Sequence, residues 1–431
     1  MTTKSEIIGE NTAGKLSRED STIVLTLATA DVRKLVEFMN LLPASHELAN
    51  AQTVELDLSR VPSFYPSFAA MFSAWFIAHS RDMSHTTFRV IAPQSQGAHS
   101  WLTKVGFFDL LKHGATSPRT DDVTVAIHPI APGNSASAEA AIEHLSNLVR
   151  RNAEGFAGDV LNSAQTAIAE VVENVSRHAH ATTSSFVCGQ YHPTTHKLSI
   201  CVADSGIGLR RSFEEAPYQP ARERLEAGDD PLDLAIEPLM SSRYGMGHSG
   251  YGLFYASELC RQARGRFAIS SGSGSLVLLG NKQFKLHHRW WDGTVVNLML
   301  DSNSNVNSSA IWAKLPSEEN DGDWVTSYLP AAAAPFISMQ LHGTRLYTRD
   351  TAKAIFDQIK ESVSQGLPIS MKHVTTITPS FADELFGNLY QALGEQRYRA
   401  VVKISDASDY MQRLIELVLK NRRTAKRADA G

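Results

Sequence analysis

Glu170 and Asn174 stand four residues apart in Ala167-Ile-Ala-Glu-Val-Val-Glu-Asn-Val-Ser-Arg-His-Ala179, a run otherwise rich in apolar residues. On a helix that spacing sets both on one face, one turn apart. A carboxylate there can polarise or deprotonate an attacking water or hydroxyl. The amide oxygen can hold a hard cation such as magnesium. Further along, Cys201-Val-Ala-Asp-Ser-Gly-Ile-Gly-Leu209 passes from apolar residues into Asp204, Gly206 and Gly208. A carboxylate at a strand end can accept the exocyclic amine of a base, and the glycines let the backbone approach a ligand closely. Gly245-Met-Gly-His-Ser-Gly-Tyr-Gly-Leu253 then leads into an apolar helical run. Glycines ahead of a helix N-terminus free N–H groups, and the positive end of the dipole suits phosphates. Gly293-Thr294 opens an apolar run, where a threonine hydroxyl can support the Asp204 carboxylate through water. Taken singly, these pieces also read as a solvated helix face, a plain turn and a flexible connector.

The elements that must position these residues follow from periodicity. Residues 158–179 and 252–263 predict helices, and residues 185–191, 197–203, 267–270, 275–280 and 294–300 predict strands. A strand over 123–130 and a helix over 138–150 precede them. The expectation is an α+β domain over 120–301, with helices on one face of a mixed, mainly antiparallel sheet. Before it, residues 1–20 read as a flexible terminus and 21–117 as a small α/β module. After it, 302–335 reads as a linker, 336–424 as a second α/β module and 425–431 as a basic tail. The run Val61-Pro-Ser-Phe-Tyr-Pro-Ser-Phe-Ala69 aligns without gaps on Val374-Thr-Thr-Ile-Thr-Pro-Ser-Phe-Ala382, which points to two related modules. Ser67 and Ser380 fall at the predicted helix starts, where serine is a preferred N-cap.

In this order and spacing the four central pieces resemble the motifs of the GHKL superfamily. That superfamily includes the gyrase-type, Hsp90, MutL, histidine kinase and anti-sigma serine kinase ATPases. The resemblance implies a Bergerat-fold sandwich that binds ATP with Mg2+. It implies Glu170 as catalytic base and Asn174 as magnesium ligand. Asp204, Gly206 and Gly208 would form the adenine pocket, supported by Thr294. Gly247, Gly250 and Gly252 would line the phosphates, with Arg177 and His178 after the Asn. Residues 209–244 would form the ATP lid, ending at Ser241, Ser242 and Arg243. The C-terminal module resembles STAS domains through Ile377-Thr-Pro-Ser-Phe-Ala-Asp-Glu-Leu-Phe-Gly387, and the N-terminal module is similar, ending in Leu102-Thr-Lys-Val-Gly106-Phe. STAS domains are substrates and partners of anti-sigma kinases, so Ser67 and Ser380 become candidate phospho-acceptors, against the simpler reading as caps.

Composition narrows the remaining classes. A net charge of -4 over 431 residues gives no footprint for nucleic acid. No window has the unbroken apolar length of a membrane span, and the polar start lacks a signal-peptide core. Cys188, Cys201 and Cys260 lack paired spacing and fit buried thiols of a cytoplasmic protein. His144 lacks the Glu and Pro company of a phospho-accepting histidine, which disfavours a histidine kinase. Three readings stay open. One is a regulatory ATPase whose nucleotide state controls its STAS-like modules. The second is a serine/threonine kinase acting on a STAS-type partner or on its own modules, and the third is a non-catalytic nucleotide sensor. A signalling partner and a homodimer are expected; a membrane is not.

Overall fold

The computed structural model describes residues 5–80, 83–116, 120–157, 159–216, 219–238, 240, 250–312, 314, 324–331 and 334–428. The chain divides into two compact units. The first comprises Met1–Phe156, Asn174–Ser212 and Cys260–Ser304; the second comprises Ala157–Glu173, Phe213–Leu259 and Asn305–Gly431. The fold is mixed α and β with several sheets, as expected for α+β.

The first unit begins with a five-stranded sheet of β1 (Ser5–Asn11), β2 (Gly14–Glu19), β3 (Thr22–Leu27), β4 (Thr53–Asp57) and β5 (Thr87–Ile91), in that order. The β1–β2 and β2–β3 pairs are antiparallel, and the β3–β4 and β4–β5 pairs are parallel. Residues 5–19, expected to be part of a flexible terminus, therefore form a hairpin on the sheet. They escaped sequence reading because β1 carries only two apolar side chains, one of which, Ile7, is exposed. In β3 the alternation is plain: Ile23, Leu25 and Leu27 point into the core.

A second sheet holds β6 (Thr124–Ile130), β7 (Ser185–His192), β8 (Lys197–Ala203), β9 (Arg266–Leu279) and β10 (Lys282–Asp301), in the order β6-β7-β8-β10-β9. Every pairing is antiparallel. Helices cover both of its faces, where one covered face was expected. Phe186 and Cys188 of β7 and Cys201 and Ala203 of β8 share a core with Phe68 and Phe72 of the Pro66–Ala78 helix. Gly189, one residue further and so on the opposite face, lies under Leu145 and Leu148 of the Ser135–Arg151 helix. A Cβ on Gly189 would stand 2.7 Å from the Leu145 side chain, so the helix can approach only over glycine. Strands buried on both faces read as continuous apolar runs, which makes β7 and β8 legible in the sequence and hides their second cover. Arg289 of β10 adds a two-pronged bond to Glu47, both contacts 3.0 Å.

The second unit has a parallel sheet and a small parallel pair. Its strands are β11 (Ser327–Leu329), β12 (Ile337–Ser338), β13 (Arg345–Leu346), β14 (Ile369–Ser370), β15 (Thr376–Ile377) and β16 (Lys403–Ser405). The sheet order is β11-β16-β14-β12, and β13 pairs with β15. Part of the expected linker is thus structured: Ser308–Trp312 is helical and β11 is a sheet edge. Residues 425–428, expected to be tail, continue the Asp409–Ala428 helix. Helix Arg349–Ser364 follows β13, and helix Pro379–Ala382 runs on through the π-wound Asp383–Gly387 into Asn388–Leu393.

The internal sequence match extends to backbone detail. The Ser59 N–H donates to Asp57 Oδ1 at 2.9 Å, and the Lys372 N–H donates to Ser370 Oγ at 3.3 Å. The Val61 N–H donates to Leu58 O, and the Val374 N–H to Met371 O. Pro66 and Pro379 each open a helix. Further on, Ser95 Oγ accepts from Ala98 and Ser408 Oγ accepts from Met411, each at 3.4 Å. All these pairs share one offset along the chain. The serines themselves are not caps: the N-cap residues are Tyr65 and Thr378, with Pro at N1, so Ser67 and Ser380 fall at N2.

Phe68 shares one core with Phe186 and Cys188 of β7, and its ring centroid lies 4.9 Å from that of Phe64 and 5.6 Å from that of Phe107. Phe68→Ala is expected to lower stability by about 3–5 kcal/mol in urea denaturation. It should also speed thiol labelling of Cys201, whose sulfur lies 4.0 Å from Ser67 O on that helix. Unchanged labelling together with an unchanged midpoint would refute this packing role.

Candidate functional site

In the first unit the expected base-binding residues meet at one junction. β8 ends at Ala203, and Asp204 follows with only 1% exposure. Its Oδ1 accepts the Gly206 N–H at 2.8 Å, its own N–H donates to Thr294 O at 2.9 Å, and Trp291 Nε1 donates to its carbonyl at 3.1 Å. The turn is glycine-tight. A Cβ on Gly206 would lie 1.8 Å from Ala179 O, and one on Gly293 would lie 2.4 Å from Asp204 Oδ1. Gly208 has φ +72 and sits against Ser271, whose hydroxyl donates to Gly293 O and accepts the Leu209 N–H. Burial pushes the Asp204 carboxyl up to about 7, against N–H donors from Gly206 and Thr294 that pull it down. Thr294 thus reaches Asp204 through its backbone. The result is a dry, oriented carboxyl at a strand end.

In the second unit Glu170 is 4% exposed. Its Oε1 accepts the Ser380 N–H at 3.1 Å, and its Oε2 accepts the Ser380 hydroxyl at 3.1 Å. The expected base and one expected phospho-acceptor are therefore hydrogen-bonded to each other. Burial pushes the Glu170 carboxyl up to about 7, and the nearby Glu173 charge adds to this, while Ser380 and Arg349 oppose it. Glu173 itself accepts the Arg349 N–H at 2.9 Å, at the first turn of the Arg349–Ser364 helix. The Thr378 hydroxyl caps the Phe381 N–H at 3.0 Å.

Sequence reading missed the charged residues around this pair. Arg349, 3% exposed, donates to Asp383 at 3.2 Å and to Glu384 at 3.4 Å. Arg422 donates from Nε to Asp383 Oδ1 at 2.8 Å. Gly387 gives this pair room, since a Cβ there would stand 3.0 Å from Arg422 Nε. The π-winding of Asp383–Gly387 lies at this cluster, a helix defect often found at functional sites. One signal was available: Glu173 is also on the apolar run, three residues after Glu170.

Val160–His178 is one helix, as predicted, carrying Glu170 and Asn174 four residues apart and closing at His178. Asn174 and Arg177 are half-buried. Gly252 opens the Gly252–Gln262 helix, and Gly250 precedes it with φ +68. Ser241, Ser242, Arg243, Gly245 and Gly247 lie outside the described residues. Within the expected lid, Gly208–Glu214, Gln219–Glu226 and Pro231–Ile236 are helical. Ser67 is 1% exposed and its hydroxyl is buried without a hydrogen-bond partner. The three cysteines are buried and free. Among the described residues no three His, Cys, Asp or Glu side chains gather as a metal site, and no helix is long and apolar enough to cross a membrane.

The raised carboxyls set a pH dependence. Folded Glu170, near 7 against an ordinary 4.5, holds a proton that the unfolded chain has already lost between those values. Stability is therefore favoured at low pH and falls as pH rises from about 5 to about 7, by a few kcal/mol for this group at ~1.4 kcal/mol per unit. Asp204 acts in the same direction. Glu170→Gln should flatten the decline in urea stability measured at pH 5, 6, 7 and 8. Superimposable pH profiles for the two proteins would disprove it.

The family model for a STAS-like domain of unknown function (DUF4325) matches residues 351–412. That stretch contains Ser380, the π-wound turn and β16. No curated protein matches the chain. The C-terminal region of this protein thus carries a STAS-like domain, whose helix start is bonded to Glu170.

Proposed function

We propose that the chain is an ATP- and magnesium-binding regulatory ATPase of GHKL type, whose nucleotide state controls the packing or partner binding of its STAS-like modules. The observation that carries this reading is the pair of bonds that the Ser380 N–H and hydroxyl donate to the two Glu170 oxygens. The group read as catalytic base is engaged with the STAS-like domain, so its availability and the seating of that domain are one equilibrium. Asp204 fits an acceptor for the adenine amine, being buried, oriented by Gly206 and set in a turn that only glycine permits.

Bound ATP would supply the phosphoryl group, and magnesium would neutralise its oxygens. Asn174 is the candidate magnesium ligand. Arg177, His178, Gly247, Gly250 and Gly252 are the candidate phosphate contacts, with Arg243 closing the lid and Thr294 supporting Asp204. Glu170 would take the proton of the attacking group once it has left Ser380. The shared turns of the two modules support a second STAS-like module at 21–117. The reading includes a cytoplasmic setting, a STAS-type or other signalling partner and a homodimer.

One observation favours a second reading, a serine kinase acting on its own module. Glu170 Oε2 and Ser380 Oγ, at 3.1 Å, already stand at proton-transfer distance.

Purified protein incubated with γ-labelled ATP and magnesium separates these readings. Release of phosphate that disappears in Glu170→Ala and Asp204→Asn is the expected result for the ATPase. Label on protein that disappears in Ser380→Ala identifies the kinase. Binding by calorimetry without turnover or transfer leaves a nucleotide sensor, and no binding at all overturns the proposal.

A further inference from the structure

A cleft of about 530 Å³ opens within the first unit. Its floor is one face of the β9–β10 hairpin, where Val277 and Phe284 are cross-strand partners beside Leu286. Phe284 and Leu286 are 44% and 40% exposed, unusual for large apolar side chains that share one concave surface. Tyr65 and the Asp31–Arg33 segment, at the start of a 3-10 helix, also line it, and Arg264 and Arg266 stand where β9 begins.

The charges at this cleft do not balance. Asp31, the single acid in the lining, is already held by Arg33 at 2.9 and 3.0 Å. Asp301, which feels the charge of Arg264, is paired with Lys197 at 2.9 Å. Arg266 donates through Nη1 to Val32 O at 3.0 Å, while its buried Nε has no hydrogen-bond partner. Neither Arg264 nor Arg266 enters an ion pair among the described residues. A partly buried guanidinium with an unmet donor beside an apolar surface is a standing demand for an acceptor.

We propose that this cleft binds a small amphipathic anion. Its carboxylate, sulfonate or phosphate head meets Arg264 and Arg266, and its acyl or aryl body lies on Val277, Phe284 and Leu286. The volume is that of a site for a drug-sized ligand, mostly apolar with a few convergent polar groups. A concave site of this size commits to a soluble molecule over a membrane surface.

The probe is 1-anilinonaphthalene-8-sulfonate, titrated into the full chain and followed by fluorescence. One saturable site is expected, displaced by decanoate and not by decanol. Arg264→Glu, at an exposed position, and Phe284→Ala should each weaken the probe by about tenfold, with the thermal midpoint confirming that the variants are folded. Equal displacement by decanol, unchanged affinity in Arg264→Glu, or no saturable site would each overturn the proposal. Sedimentation with phosphatidylglycerol vesicles that decanoate fails to reverse would also overturn it, in favour of a lipid surface.

Discussion

A carboxylate in a dry interior has to be met by donors or give up its charge. In the second unit that constraint falls on Glu170, and the solution is the start of a helix. Pro379 occupies the first helical position and has no N–H, so the Ser380 N–H is the first donor the helix leaves open. Glu170 takes it, together with the serine hydroxyl, and Thr378 takes the next through Phe381. One turn away Glu173 does the same for Arg349. Two acids on one helix thereby close the open ends of two helices of the STAS-like region, with the dipole of each favouring the negative charge.

The remaining buried charges follow from that seating. Arg349, brought in by its backbone bond to Glu173, meets Asp383, and Asp383 is shared with Arg422. A network of this kind is weak evidence of net stability, since desolvation offsets much of the attraction. It does enforce geometry, because removing one member strands the others in the interior. A carboxyl held near neutrality inside such a network can be ionised or protonated at modest cost. With both oxygens engaged by Ser380, any change of charge or position at Glu170 is felt at that helix start.

What could be read from the sequence followed how local its cause was. The Val160–His178 helix, the strands ending at Ala203 and the glycine turn after Asp204 all have short-range signatures, and they stand where periodicity and glycine spacing put them. The β1–β2 hairpin was invisible because its inward face is short and its apolar residues few. The second cover on the central sheet and the Arg349–Asp383–Arg422 cluster were invisible for another reason. They join residues far apart in the chain, and a single sequence does not tell which apolar face meets which. Glu170 itself stands out by type, yet its partner does not, since Ser380 reads more simply as a cap.

The duplicated turn shows how one local structure can be put to different uses. Ser67 and Ser380 share a preceding Pro, a following Phe-Ala and the second position of a helix. Ser67 is buried next to Phe68 in the chain, with the sulfur of Cys201 against its carbonyl. Its hydroxyl finds no partner, and it is fixed by packing alone. Around Ser380 the neighbour is a carboxylate that contacts both backbone and hydroxyl. Packing of the first kind is insensitive to charge, whereas the second changes with any event that protonates, ionises or competes for Glu170. Of the two turns, then, only the one at Ser380 carries a side-chain contact that depends on the charge of a neighbouring carboxyl.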